Sequence, residues 1–472
     1  MTALLNELRL VLLLVAVWTT EIACKRLNVS PIIGQIAAGL VVGPALLDLI
    51  PYVEAFRLLG KLGVMMLVVE SGLTVDLDEV RRFGLRASLA AATGVVIPTL
   101  LSFVLYSGVL GTGWKISLAV GAAISPTSLG FSAQMLGEVG ELTSPIGQLI
   151  CTAAVIDDVL SLLLLAEVQV LGEDDPKWYA YALPVVASVG SVLVGSLVTI
   201  FISSRTRPLN AWLASLNHSP TPTDEAAAAA AVKARETMEC GLVTRSSGSG
   251  GTGNTEVHDV PQGCTSHSRR AEDRNRNGAQ AALSDGGMRS QVGGAISRGD
   301  RVLLAIVLAL SLLFAYLSAS VGSSDLLGCF LGGLAFSTVP GVRPVWARQM
   351  KRYTQWGARL FFAATVAFSV PSIYADGGLL RPKPFWKGLI LTAAAVIGKL
   401  VVGLYAGPPL TFADFSKLGW AMNGRGEFSF FIAQEASDEG VLTAEDYSAV
   451  VWALLWSSIA APIAFRRALA AD

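Results

Sequence analysis

Charge is what this chain has least of. Only 15% of its 472 residues are Asp, Glu, Lys or Arg, where soluble domains carry about a quarter. That scarcity excludes the two or three soluble domains the length alone would suggest. The charge that is present balances, 35 Lys and Arg against 36 Asp and Glu, so no nucleic-acid surface is expected. Histidine is scarcer still. His218, His258 and His267 all lie in one polar stretch, residues 203–300, and no apolar segment holds a histidine to act as a buried proton switch. The five cysteines are an odd number, and Cys24, Cys151 and Cys329 sit in or beside apolar segments. They read as buried free thiols rather than a disulfide framework. Nor does a cleavable signal open the chain. The first apolar run, Leu10 to Trp18, leads into Glu21, Lys25 and Arg26 without a small-residue cleavage site, and reads as a first membrane span. No cofactor motif is evident, and no cofactor is expected.

What remains is apolar. Hydrophobic residues make up 53% of the chain, and setting the polar stretch aside leaves roughly 370 residues, enough for about a dozen spans of ~20 residues. The expected fold is an all-α polytopic membrane protein of about 13 transmembrane helices. Residues 1–202 would hold a first repeat plus a linker helix, 203–300 a cytoplasmic low-complexity, disordered insertion, and 301–472 a second repeat. Lys25, Arg26, Arg81, Arg82, Arg86, Arg343, Arg348, Lys351 and Arg352 crowd alternate loops. By the positive-inside rule the N-terminus then lies outside or lumenal, with the insertion and the C-terminus cytoplasmic. Gly34-Gln-Ile-Ala-Ala-Gly39-Leu40 in the second span is echoed by Gly328-Cys-Phe-Leu-Gly-Gly333-Leu334 in the ninth. Six spans on each side of an odd linker helix would give inverted repeats, an arrangement found in secondary transporters.

Ionisable residues inside apolar spans carry the functional signal, because each costs about 2.5–3.5 kcal/mol or more unless paired or hydrated. Asp157 and Asp158 sit mid-way in the sixth span, Pro145–Ala166. Adjacent helical residues project about 100° apart, so each is expected to face a different partner. Lys399 is central in the eleventh span, Leu389–Ala406, and is the obvious counter-charge. Ser125-Pro126-Thr127 interrupts the fifth span, Ile116–Leu136. Proline there removes a helical hydrogen bond, and the two hydroxyls and freed carbonyls are expected to replace water around a cation. Arg425 and Glu427, flanked by Gly424 and Gly426, enter the twelfth span, Leu418–Glu435. Arg425 is expected to pair with an acid, and Glu427 and Glu70 are candidates for the ion route.

These motifs together resemble the monovalent cation:proton antiporters of the sodium/hydrogen exchanger superfamily. Pro31-Ile-Ile-Gly-Gln-Ile-Ala-Ala-Gly-Leu-Val-Val-Gly-Pro44 is similar to the family's opening motif. The Ser-Pro-Thr break, the Asp-Asp pair, Lys399 and Arg425-Gly-Glu427 follow in the family's order. The resemblance implies a homodimer, with a dimerisation domain beside a six-helix core in which two unwound helices cross. It implies that Asp158 carries the cation (Na+ or K+) or the proton, that Asp157 pairs with Lys399, and that Thr127 lies at the crossing. The polar insertion is unlike compact bacterial members, and no nucleotide-binding domain is expected after the last span.

A cation and a proton would compete for Asp158 while the core moves against its scaffold. An Asp157–Lys399 bridge that opens and takes up a proton would make exchange electrogenic, the form the acid pair favours; a static bridge would make it electroneutral. The chain is not expected to be an enzyme, since an intramembrane aspartyl protease needs its two aspartates on different helices. The alternative is a transporter-like sensor or channel signalling through the insertion.

Overall fold

The computed structural model describes residues 2–26, 30–172, 178–205, 298–372, 375–407 and 411–470. Among them all regular structure is helical. The first half runs α1 (Thr2–Arg26), α2 (Pro31–Val42), α3 (Val53–Thr74), α4 (Leu77–Val104), α5 (Trp114–Ile124), α6 (Leu129–Glu138), α7 (Pro145–Leu171) and α8 (Trp178–Ser204). The second runs α9 (Arg298–Ser320), α10 (Asp325–Ala335), α11 (Val342–Gln349), α12 (Lys351–Leu360), α13 (Pro382–Leu400), α14 (Phe412–Ala421), α15 (Glu427–Asp438) and α16 (Ala444–Ala470). A π-helical turn at Leu105–Val109 extends α4, and another at Phe361–Val366 extends α12. Residues 1–206 and 304–472 form one compact unit, and 207–303 are assigned to a second. Of the expected insertion only its edges are described, as the ends of α8 and α9; the three histidines lie outside the described residues.

Local chemistry explains where these helices begin. Asp76 caps α4 by accepting from the amides of Asp78 and Glu79, and Ser144 caps α7 with Pro145 in its first turn. Thr411 and Asp414 exchange hydrogen bonds across the first turn of α14. Each satisfies amides that a helix N-terminus otherwise leaves without partners. Seven helical segments among the described residues are long and apolar enough to cross a bilayer: 77–109, 114–138, 145–171, 179–204, 298–320, 382–405 and 444–469. This is an integral, multi-pass membrane protein.

Two packing neighbourhoods position the site. In one, α2 packs on α1 and on the π turn of α12, while α3 packs on α10 and α12. Contact there is backbone to backbone: a Cβ on Gly63 would lie 2.3 Å from the Gly357 Cα, and one on Gly39 would meet the Ala363 carbonyl at 1.9 Å. Small residues permit such approach, and in lipid it is van der Waals packing that holds helices together. In the other neighbourhood α4, α7, α13 and α16 pack around two interrupted helices, α5–α6 and α14–α15.

The pattern of apolar runs missed α11. This helix is too polar to show as a span, but it places Arg343, whose guanidinium donates to the Leu73 and Val75 carbonyls at 2.9 Å each. Those are carbonyls at the end of α3, which the helix itself leaves unpaired.

Candidate functional site

Two helices stop short in the middle of the second neighbourhood, and their ends meet. The first ends at Ile124 and resumes at Leu129; the second ends at Ala421 and resumes at Glu427. Pro126 accounts for the first gap and the glycines 424 and 426 for the second. Each gap satisfies backbone groups of the other. The Thr127 hydroxyl donates to the Met422 carbonyl at 2.9 Å, the Ser128 amide to the Gly424 carbonyl at 2.9 Å, and the Ser132 hydroxyl to the Ala421 carbonyl at 2.7 Å. This is how non-helical backbone persists at membrane depth.

Arg425 is wholly buried and corrects one expectation. Among the described residues it forms no ion pair with an acid: its Nη1 donates to the Ser125 and Pro126 carbonyls at 3.1 and 3.0 Å, and its Nη2 to the Ala395 carbonyl at 3.2 Å. The guanidinium therefore occupies the carbonyls that Pro126 was expected to free for a cation. Ser429 adds a hydroxyl donor to the Pro126 carbonyl at 3.2 Å. The Ser125 hydroxyl turns back to the Ala122 carbonyl at 3.0 Å, so its hydrogen is spent within α5.

Asp157 and Asp158 part company as adjacent helical residues must. Asp157 Oδ1 lies 3.0 Å from the Lys399 ammonium with both side chains fully buried, and its Oδ2 accepts from the Thr127 amide. Lys399 rests against Gly94 of α4, where a Cβ would come within 3.2 Å of the ammonium. Asp158 is 1% exposed, yet its Oδ1 has no hydrogen-bond partner among the described residues. Around it the charges of Glu427, Asp157 and Lys399 are all within electrostatic reach.

Glu427 opens α15, half-buried, with the Ser128 hydroxyl 3.5 Å away. Glu70 on α3 is half-buried and near enough to repel it. Two residues went unremarked in the sequence. Asn423 is fully buried in the second gap, its amide donating to the Gly419 carbonyl at 3.0 Å while its Oδ1 stays unpartnered among the described residues; its position between Met422 and Gly424 was the available signal. Ser128 is the other, and its place beside the Ser-Pro-Thr triplet could have marked it.

A cavity of about 280 Å³, lined by Lys25, Ser30, Phe131, Gln134, Glu138 and Arg466 among others, opens between the ends of α6 and α16 and the start of α2. Its Phe131 packs against Gly424, at 2.3 Å from where a Cβ would stand, so the cavity approaches the meeting of the gaps with one aromatic ring between.

Residues 10–218 and 292–471 match the family described as sodium/hydrogen exchanger, transmembrane. The chain belongs to that family. It is 29% identical over 220 residues to the high-affinity Na(+)/H(+) antiporter NhaS3 of Synechocystis, covering 38% of this chain and 48% of that one. With the Na(+)/H(+)-K(+) antiporter GerN of Bacillus cereus it shares 30% identity over 170 residues, 36% of this chain and 44% of the relative. The chain thus spans about half the length of these curated relatives or less. The solved structure of the sodium proton antiporter MjNhaP1 from Methanocaldococcus jannaschii at pH 8 has the same fold, with a TM-score of 0.57 over 99% of both chains at 14% identity. An exchanger family is one of ion transporters, not enzymes, which disposes of the protease alternative.

Proposed function

We propose that this protein exchanges a monovalent cation, sodium or potassium, for protons, and that Asp158 is the carboxylate that binds either. The observation that carries the reading is the contrast between Asp158, buried with an oxygen unpartnered among the described residues, and its neighbour Asp157, whose two oxygens are held by Lys399 and the Thr127 amide. A carboxylate removed from water needs a counter-charge or a proton. Three carboxylates, Asp157, Asp158 and Glu427, face two cations, Lys399 and Arg425, so one negative charge is left over. One bound monovalent ion or one proton cancels it.

Each remaining residue then has a task. Lys399 and the Thr127 amide hold Asp157 and fix the helix that presents Asp158. Arg425 and Ser429 fasten the two gaps together, and Thr127 keeps its hydroxyl lone pairs for a cation. Ser125 shapes the end of α5. Glu427 and Glu70 draw cations toward the gap. Relatives described as Na(+)/H(+) and Na(+)/H(+)-K(+) antiporters support both candidate ions.

The same proposal includes thirteen spans in two inverted repeats, with a core that moves against the glycine-packed helices by alternating access. Reciprocal packing supports the repeats: α2 lies on the π turn of α12 as α10 lies on α3. The N-terminus is taken as outside or lumenal and the C-terminus as cytoplasmic, which makes the cavity near Lys25 the inner mouth. The protein is taken to work as a homodimer.

Proteoliposomes carrying a pH-sensitive dye test the reading. Sodium or potassium pulses should drive proton movement in the wild type and fail to do so in Asp158→Asn. Exchange that survives this substitution would move the ion site elsewhere. Repeating the pulses with the membrane potential clamped reads whether the Asp157–Lys399 bridge takes part in charge transfer.

A further inference from the structure

Two faces lead away from the proposed ion site toward the end of the molecule opposite the Lys25 cavity, and they converge. On α7, Gln169 stands eleven residues after Asp158, three turns along on nearly the same face and about 16 Å away at 1.5 Å per residue. On α15, Glu427, Phe431 and Glu435 follow one another at four-residue steps, the spacing of side chains stacked along one face. The two faces meet where the Gln169 amide donates to Glu435 Oε1 at 2.9 Å. Gln169 is neutral, so it leaves the charge of Glu435 unbalanced.

Lys61 of α3 supplies the balance. Its ammonium stands 4.0 Å from Glu435 Oε2 and 5.8 Å from the centre of the Phe431 ring. Phe431 in turn packs on Phe361 of the π turn, ring centres 6.0 Å apart. The backbone behind Lys61 cannot yield, because a Cβ on Gly60 would lie 2.2 Å from Thr365 Oγ1 and 2.9 Å from the Phe361 Cα. The side chain can: Lys61 is 43% exposed while Glu435 is 13% exposed, and the ion pair is at the limit of contact. A monovalent cation has the same charge as the ammonium and meets the same carboxylate and ring face.

Resting on the reading of Asp158 as the ion site, we propose that Lys61 is a positioning residue for the outer route. Its ammonium occupies Glu435 until an entering monovalent cation displaces it, and Glu435 is the outer station from which that cation passes Phe431 toward Glu427 and Asp158. Lys61 therefore competes with the substrate on one side of the membrane only.

Exchange measured in vesicles of defined orientation, with sodium varied on one side at a time, tests this. Lys61→Met should lower the apparent KM on the Lys61 side by about threefold or more, leave the KM on the Lys25-cavity side unchanged, and preserve the maximal rate. Glu435→Gln should raise the KM on the Lys61 side, Lys61→Met should have no further effect in that background, and Lys61→Arg should restore wild-type behaviour. A shift equal on both sides, no shift, or no restoration by arginine would overturn the proposal. Asp158→Asn in the same vesicles separates the two readings: exchange that persists there, with the one-sided Lys61 effect intact, removes Asp158 and keeps Lys61. A folded wild type without exchange overturns both.

Discussion

The meeting of the gaps and the glycine-packed helices α2, α3, α10 and α12 solve one problem with opposite materials. Both bring backbone against backbone inside a membrane protein. At the gaps the backbone is unwound, so polar groups need partners, and Arg425, Thr127, Ser128 and Ser132 supply them. Along the glycine-packed helices the backbone is already satisfied by its own helix, and what is needed is absence of side chain, as at Gly63 and Gly357. One region therefore fails when a group is removed and the other when a group is added. The region built from polar fasteners is also the one that holds Asp158, a buried carboxylate with one oxygen unpartnered among the described residues.

Arg425→Ala should break the first region most severely. It deletes three donor contacts to buried carbonyls, and bonds made by charged groups contribute about 1.5–3 kcal/mol each. The expected outcome is loss of the monodisperse peak in fluorescence-detected gel filtration. Arg425→Lys, a single point charge without the planar fork, should recover part of it.

The neighbouring aspartates sharpen the comparison within that region. Asp157→Asn leaves Lys399 buried without its counter-charge and should cost about 3–5 kcal/mol, read as a lower melting temperature in detergent. Asp158→Asn neutralises a carboxylate that has no ion pair among the described residues and should melt at or above the wild-type temperature while abolishing exchange. Equal melting temperatures for the two would sink the distinction drawn between them.

In the second region Gly63→Ala forces a methyl against Gly357 and should cost about 1–3 kcal/mol, the usual penalty of overpacking. Gly190→Ala in α8 makes a fair control, since nothing lies within 4 Å of where its Cβ would stand; its melting curve should shift less. The smallest effect belongs to Glu138→Gln, which breaks a pair with Arg466 in which both side chains are over 40% exposed. Exposed pairs contribute about 0–1 kcal/mol, so thermal unfolding should barely register it.

Much of this arrangement was legible because charge in an apolar run is conspicuous. Asp157, Asp158, Lys399, Arg425 and Glu427 each stood out by their surroundings, and Pro126 marked its gap. That Lys399 pairs with an aspartate of the sixth span followed from sign; that the partner is Asp157 came only from the family resemblance. What stayed hidden was what Arg425 binds, because a carbonyl acceptor belongs to every residue and leaves no trace in the side-chain sequence. The two π turns were equally invisible, since one extra residue per turn does not change composition. Glu435 was read only as the end of a span; its meeting with Lys61 depends on how α3 and α15 are set beside each other, which no local pattern encodes.

The leftover negative charge among Asp157, Asp158, Glu427, Lys399 and Arg425 has a consequence for slippage. Where the Asp157–Lys399 bridge stays closed through the cycle, a core loaded with either ion is neutral and crosses without electrical work. An empty core carries one charge, and moving it through the field costs about 2.3 kcal/mol per 100 mV of opposing potential. That is nearly a fiftyfold slowing, before any penalty for exposing a bare carboxylate to lipid. Membrane voltage thus makes slippage directional: it slows the unladen stroke against the field and favours it along the field, so the residual brake common to both directions is the exposure of the bare carboxylate.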